Sequence, residues 1–461
     1  MRSPANAALV VVLILCALVA FVVPFWYWDG GLIEIEGTQF VRQYLDGRSG
    51  LLRIVFDPHA NDLGTFQARE LSFLFDYLDA RAFGARMALD WPSFVPLSAL
   101  LSGLLTIVIC LLSLRGLPRL LQLTVSCAFL VYLTNYVNVV TMGMHYRSTK
   151  VLLAPVLLGT TMYVARSCGG RSSRWAPPIV FVLFSIMSLL DRQGFFYALL
   201  GLAVLVVFAA TTTGGWRVAA AGAGAVAFMV FYNAALGPML VERINGYVPN
   251  AEYQQLPLGN LLTDPAIVAH ASALLVQAGA ALFGGLPVSL FGILVVLPVA
   301  GAVIRRRRLS RTILILAGML LVGEIALASL MIVRHPPVYD YYDHRIWYYP
   351  LPFQAMILGI LVVVMSRLSA GWSRSQTAVA LALLAAIVVS NVVHWGDYRR
   401  AQLRSRWFPV VYTQTTALKE SLADGRPRPS LSPEYIALYD VCLRLSPALR
   451  ERAAGIHRAG P

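Results

Sequence analysis

Apolar runs long enough to cross a bilayer recur along the whole chain, and that repetition limits what it can fold into. About eleven can be marked out: 7–25, 96–114, 120–139, 151–166, 176–190, 196–212, 218–240, 286–304, 312–333, 349–366 and 377–393. A bilayer-crossing helix needs roughly 20 predominantly apolar residues. Charged residues are only 13% of the chain, against about 25% in soluble domains. The sequence therefore predicts an all-α polytopic membrane protein. Its transmembrane domain covers 1–393, and a polar tail covers 394–461. The first run ends in Phe25-Trp26-Tyr27-Trp28, an interfacial aromatic belt, and reads as a retained span rather than a cleaved signal.

The charges assign the two sides. With the N-terminus inside, the inner segments carry Arg2, Arg115, Arg119, Arg166, Arg171, Arg174, Arg217, Arg305 to Arg308, Arg311, Arg367 and Arg374, and no Asp or Glu. This is the arginine asymmetry of cytoplasmic loops. The net charge of +14 is thereby explained without nucleic acid. An odd number of spans leaves the tail outside. Residues 266–283 are apolar, but a crossing there would reverse the Arg305 cluster. They read as a membrane-surface or re-entrant helix within the outer loop 241–285. Lys150 and Lys419 are the only lysines. The cysteines (Cys16, Cys110, Cys127, Cys168 and Cys442) form neither a disulfide framework nor a metal-type pair.

The outer loops hold the candidate chemistry. Loop 26–95 carries ten of the 23 acidic residues. Asp29, Glu34 and Glu36 follow the first span and are weaker candidate catalytic carboxylates. From about Thr65 the chain reads as an amphipathic interfacial helix. Leu71, Leu74, Phe75, Leu78 and Ala82 form its apolar face, with Arg69 and Asp76 opposite, turned toward water. Asp62 just before it suits an N-cap, or a carboxylate held at the membrane surface to act as a base. Glu70 is a second catalytic candidate. Arg147 with Lys150, Asp191-Arg192-Gln193 and Glu242-Arg243 add complementary charge. The loop 334–348 sets His344 and Arg345 among tyrosines at headgroup depth, where arginine's planar fork matches phosphate oxygens. Glu324 sits mid-span and faces the bundle interior, bonded to a neighbouring helix or placed on an ion path. Asn135 and Asn138 read as uninformative outer span ends. No Walker loop, Asp-x-Asp pair, nucleophile elbow or zinc-helix motif occurs, which weighs against ATP coupling and metal-diphosphate chemistry.

Asp62, Phe66, Ala68, Arg69 and Leu71, in a long outer loop after a first span, resemble the membrane glycosyltransferases of the C-type fold. In that family the acid is commonly followed by Glu or Asp, whereas Asp62 is followed by Leu63. The resemblance implies an enzyme of the bacterial inner membrane with a periplasmic site. It would take a sugar from a polyprenyl-phosphate donor, need no cofactor or divalent metal, and invert the anomeric carbon. Asp62 or Glu70 would act as general base, with Arg69, His344, Arg345, Arg192 and Arg147 on the lipid phosphate. The partners implied are membrane lipid, the lipid-linked sugar and a glycan, lipid or protein acceptor. A lipid-linked glycan polymerase or ligase remains an alternative, as does a secondary transporter using Glu324.

Overall fold

The computed structural model describes residues 32–33, 35–46, 50–57, 66–88, 95–114, 119–135, 138–145, 148–168, 172–249, 265–282, 307–334, 350–368 and 408–451, with single positions in 11–25 and 389–394. The fold is mostly helical. In chain order the helices are α1 (Ile35–Leu45), α2 (Leu51–Val55), α3 (Glu70–Ala88), α4 (Leu97–Ser113), α5 (Arg119–Leu133), α6 (Val139–Gly143), α7 (Ser148–Ser167), α8 (Ala176–Leu190) and α9 (Arg192–Ala209). They continue with α10 (Gly215–Asn245), α11 (Pro265–Leu282), α12 (Arg307–Arg334), α13 (Pro350–Leu368), α14 (Phe408–Asp424) and α15 (Pro433–Leu445). A parallel bridge pairs β1 (Leu32–Ile33) with β2 (Met144–His145).

Helices α4, α5, α7, α8, α9, α10, α12 and α13 overlay the apolar runs expected to be helical. Among the described residues, α9 and α10 are by themselves long and apolar enough to cross a membrane. The expected spans 286–304 and 377–393, and the loop 334–348, lie outside the description except for Arg334, Val389 and Val393. Helix α4 shows how these helices pack. Its buried face is small and polar (Ser98, Ala99, Ser102, Gly103, Thr106), while Leu97, Leu100, Leu104, Val108 and Leu112 point away from the protein. A surface helix of a water-soluble protein has the opposite arrangement. Small residues also let the helices approach closely. Phe184 of α8 is wedged between Gly201 of α9 and Gly222 of α10, where an added Cβ would lie 2.8 and 3.2 Å from its ring.

The helix ends sort by charge. At one end, Arg166 of α7 donates to the Ser113 carbonyl of α4. At that end the Ser172 amide donates to Thr213 (3.0 Å), and Arg174 lies 5.5 Å over the Trp175 ring. The carboxylates of α3 and the α8–α9 turn gather at the other.

Helix α3 corrects the expected orientation. It begins at Glu70, and the Arg69 carbonyl accepts its first bond, from the Phe73 amide at 2.9 Å. The residue preceding the helix is therefore Arg69, not Asp62, which lies outside the described residues. The expected apolar face is only half-buried. The inward face instead carries Glu70, Ser72, Asp76 and Asp79 with Phe73, Ala80 and Phe83. The acids turn inward because hydrogen-bonding groups are there to receive them: Tyr232 for Glu70, Ser72 for Asp76 and the start of α4 for Asp79. Asp79 takes both the Ser98 amide (2.9 Å) and the Ser98 hydroxyl, and so caps α4.

Helix α11, expected as a membrane-surface or re-entrant helix, lies against α12 and α13 and so packs into the helical bundle. The polar tail is equally integrated. Helices α14 and α15 share a core with α1 and α3, including Tyr44, Leu45, Phe83, Leu418, Tyr435 and Leu438. Thr415 accepts from the Ile33 amide (3.1 Å) and donates to its carbonyl (3.2 Å), and the Tyr435 hydroxyl donates to the same carbonyl.

Candidate functional site

The site is built on the sharp turn between α8 and α9. Asp191 ends one helix and caps the next, in extended backbone, with Oδ1 accepting from the Gln193 amide at 2.7 Å. The turn requires Gly194, because a Cβ there would fall 1.8 Å from the Met187 carbonyl oxygen. The Asp191 side chain is buried and meets two cations. Lys150 Nζ, in the first turn of α7, lies 2.8 Å from Oδ1, and Arg69 Nη2 lies 3.7 Å from Oδ2. Burial opposes its charge, but Lys150, then Arg69 and the hydrogen bonds outweigh that and hold the carboxyl below the usual carboxylate range. Two cations against one carboxylate leave the trio one positive charge in surplus.

The segment before α3 is fixed on α10. Phe66 packs over Gly237, where a Cβ would meet its ring at 2.1 Å, and lies 6.3 Å from the Tyr232 ring. Within α10, Tyr232–Leu236 form a single π turn, a distortion frequent at functional sites. At its start, Tyr232 donates to the Glu70 carboxylate. The next residue, Asn233, accepts from the Ala68 amide at 3.0 Å and ties itself to the Met229 carbonyl at 2.9 Å. Phe66, Ala68 and Arg69 thus each have a distinct attachment: a glycine, an amide and a carboxylate.

Glu70 is 7% exposed. Burial pushes its carboxyl up to about 7, against the opposing pull of backbone bonds and Tyr232. That suits proton transfer near neutral pH. Asp79 is likewise raised by burial to about 6, despite its bonds to Ser98. Five buried atoms in this neighbourhood have no hydrogen-bond partner among the described residues: Gln67 Oε1, Arg69 Nε, Glu70 Oε2, and Oε1 and Nε2 of Gln193. Each such atom costs about 1–3 kcal/mol, so the cluster has empty bonding capacity.

Of the expected site residues, Arg69 and Glu70 come together here. Arg192 opens α9 beside Asp191 and is half-buried. Asp29, Glu34, Asp62, Arg147, His344 and Arg345 lie outside the described residues. Glu36 falls in α1, its side chain likewise outside the description. Glu324 is buried and accepts from Tyr197 of α9, with Oε1 unpartnered. Asn135 and Asn138 are more than span ends: both amides donate to Gln354 Oε1, at 2.7 and 2.5 Å, and Gln354 donates to the Ala278 carbonyl of α11 at 2.6 Å. Sequence reasoning noted Lys150 and Asp191 as loop charge but not as a pair, and it missed Gln67, Tyr232 and Asn233. Lys150 had a signal, as one of two lysines among many arginines. Among the described residues no group of three or more His, Cys, Asp or Glu could hold a metal ion.

No family model, no curated protein and no solved structure matches the chain.

Proposed function

We propose that the protein is an integral membrane glycosyltransferase, resembling the C-type fold, that moves a sugar from a polyprenyl-phosphate donor to an acceptor hydroxyl. The observation that carries this reading is Glu70: a buried carboxyl raised to about 7, next in sequence to Arg69 and the surplus positive charge of the Lys150–Asp191–Arg69 trio. One group can take a proton while its neighbours meet developing negative charge. The outward-pointing leucines of α4 and the long apolar α9 and α10 support a lipid setting. In this reading eleven spans cross a bacterial inner membrane, the arginine-bearing ends face the cytoplasm, and the site opens to the periplasm.

The reaction is a single displacement. Glu70 takes the acceptor hydroxyl proton, and the acceptor oxygen bonds to the anomeric carbon on the face opposite the phosphate. The carbon–oxygen bond to phosphate breaks, and its electron pair leaves with the polyprenyl phosphate. Arg69 and Lys150 lower the cost of that charge. Glu70 is favoured over Asp62 as base because its surroundings tune it to neutrality.

The test is sugar transfer in membrane vesicles with labelled polyprenyl-phosphate sugar. The Glu70→Gln protein should lose activity by about 10²- to 10⁴-fold, and Asp62→Asn by less. Full activity in Glu70→Gln removes it from the base role. Glu324→Gln separates the transporter alternative, which requires loss of coupled uptake, whereas a transferase keeps most of its rate.

A further inference from the structure

The unpartnered atoms around Glu70 have a composition that specifies a ligand. Three are acceptors: Gln67 Oε1, Glu70 Oε2 and Gln193 Oε1. Two are donors: Gln193 Nε2 and Arg69 Nε. Gln193 is 2% exposed and Gln67 7%, so water at the protein surface does not reach them freely. Native proteins leave few buried polar atoms unbonded, yet these five fall in two short stretches of chain. The stretches are pinned together: Arg69 pairs with Asp191, and Asp191 bonds the Gln193 amide. The Ala68 amide is held by Asn233.

A phosphate, which chiefly accepts, would satisfy the donors and leave the three acceptors empty. An apolar chain would satisfy none. A lipid alcohol or a Ser or Thr side chain brings one hydroxyl. Each hydroxyl donates one bond and can accept others, so neighbouring hydroxyls on one ring match a mixed set with acceptors in excess. Resting on the glycosyltransferase reading, we propose that Gln67, Glu70 and Gln193 form a hydroxyl-binding subsite for a carbohydrate acceptor. One ring hydroxyl binds Glu70, the group that receives its proton. Its neighbours bind the two glutamines and fix which hydroxyl reacts. The acceptor is thus a glycan rather than a lipid alcohol or a protein side chain.

The experiment uses the full chain in lipid nanodiscs. Methyl glycosides of glucose, mannose and arabinose are the probes, with octanol and inorganic phosphate as controls, read by saturation-transfer NMR. At least one glycoside should bind, and Gln67→Leu and Gln193→Leu should each weaken it by about tenfold or more. Gln193→Leu should keep or raise the melting temperature of the empty protein, since it removes a buried amide with neither end bonded. A lower melting temperature with unchanged glycoside affinity overturns the subsite, as does binding of octanol or phosphate but no glycoside. Transfer kinetics separate this proposal from the reading beneath it. If sugar transfer occurs but the acceptor KM is the same in Gln193→Leu, the subsite is wrong and the transferase stands. If glycosides bind through Gln193 but no transfer from the lipid-linked donor occurs, the subsite stands and the transferase reading fails.

Discussion

Lys150 and Asp191 are 41 residues apart in sequence and 2.8 Å apart in the fold, Asp191 buried and Lys150 nearly so. Arg69 approaches the same carboxylate from a third segment. The arrangement is asymmetric, since removing the anion strands two cations, whereas removing either cation leaves the other. Asp191→Asn should therefore destabilise by about 3–5 kcal/mol, the cost of orphaning a buried charge, and Lys150→Met by less. Denaturant unfolding in detergent measures both. Equal losses would mean that Arg69 contributes nothing to the balance.

Glu70 makes stability depend on pH with a defined sign. Its folded value is about 7 against an ordinary 4.5, so the folded chain holds its proton more tightly than the unfolded chain. Stability then falls as pH rises from about 4.5 through 7, by about 3 kcal/mol in all. Glu70→Gln should flatten that part of the profile and be the more stable protein at pH 8. With Glu70 as the proposed base, sugar transfer should rise over the same interval. Thermal melts and initial rates across pH 4 to 9 test both.

Gly237 is where the segment preceding α3 docks. A methyl group there would sit 2.1 Å from the Phe66 ring, so Gly237→Ala must expel Phe66 or bend α10. The expected cost is about 1–3 kcal/mol, with a larger loss of transfer because Arg69 and Glu70 follow Phe66 in the chain. Pairing it with Phe66→Ala should recover part of the stability but not the activity. Protease cleavage near residue 66 should quicken in the single variant.

The tail fixes a relation between distant segments. Arg444 reaches Asp46 at 3.3 Å, so both residues must lie on one side of any bilayer the chain crosses. Cysteines placed singly at Asp46 and Arg444, in a background without the native cysteines, should react with the same impermeant maleimide in the same vesicle preparation. Labelling from opposite sides contradicts the fold.

How far the sequence could be read depended on the range of the interaction involved. Apolar runs are local, and α4, α8 and α13 fall within a few residues of the runs marked for them. Arg69 and Glu70 were legible as charge in a long loop. Their inward direction was not, because periodicity assigns the apolar face of a helix to the interior. Against α3 the interior offers polar hydrogen-bonding groups, Tyr232 and the start of α4 among them, and Glu70, Asp76 and Asp79 are buried there. Tyr232 and Asn233 were hidden inside an apolar run, and Asn233 meets its partner Ala68 across 165 positions. The Asn135–Gln354 contact spans 219 positions, and no pattern in one chain reveals such a pairing.

The bonds at Ile33 have a consequence for biogenesis. Its amide and carbonyl wait for partners 382 and 402 residues downstream. At roughly 5–20 residues per second, a ribosome needs on the order of 20–80 s to deliver them. Throughout that interval the early helices α1 and α3 exist without α14 and α15 to cover them. Maturation is therefore gated by the arrival of α14 and α15, and a message cut short before codon 415 yields a chain in which the inner faces of α1 and α3 are never closed over.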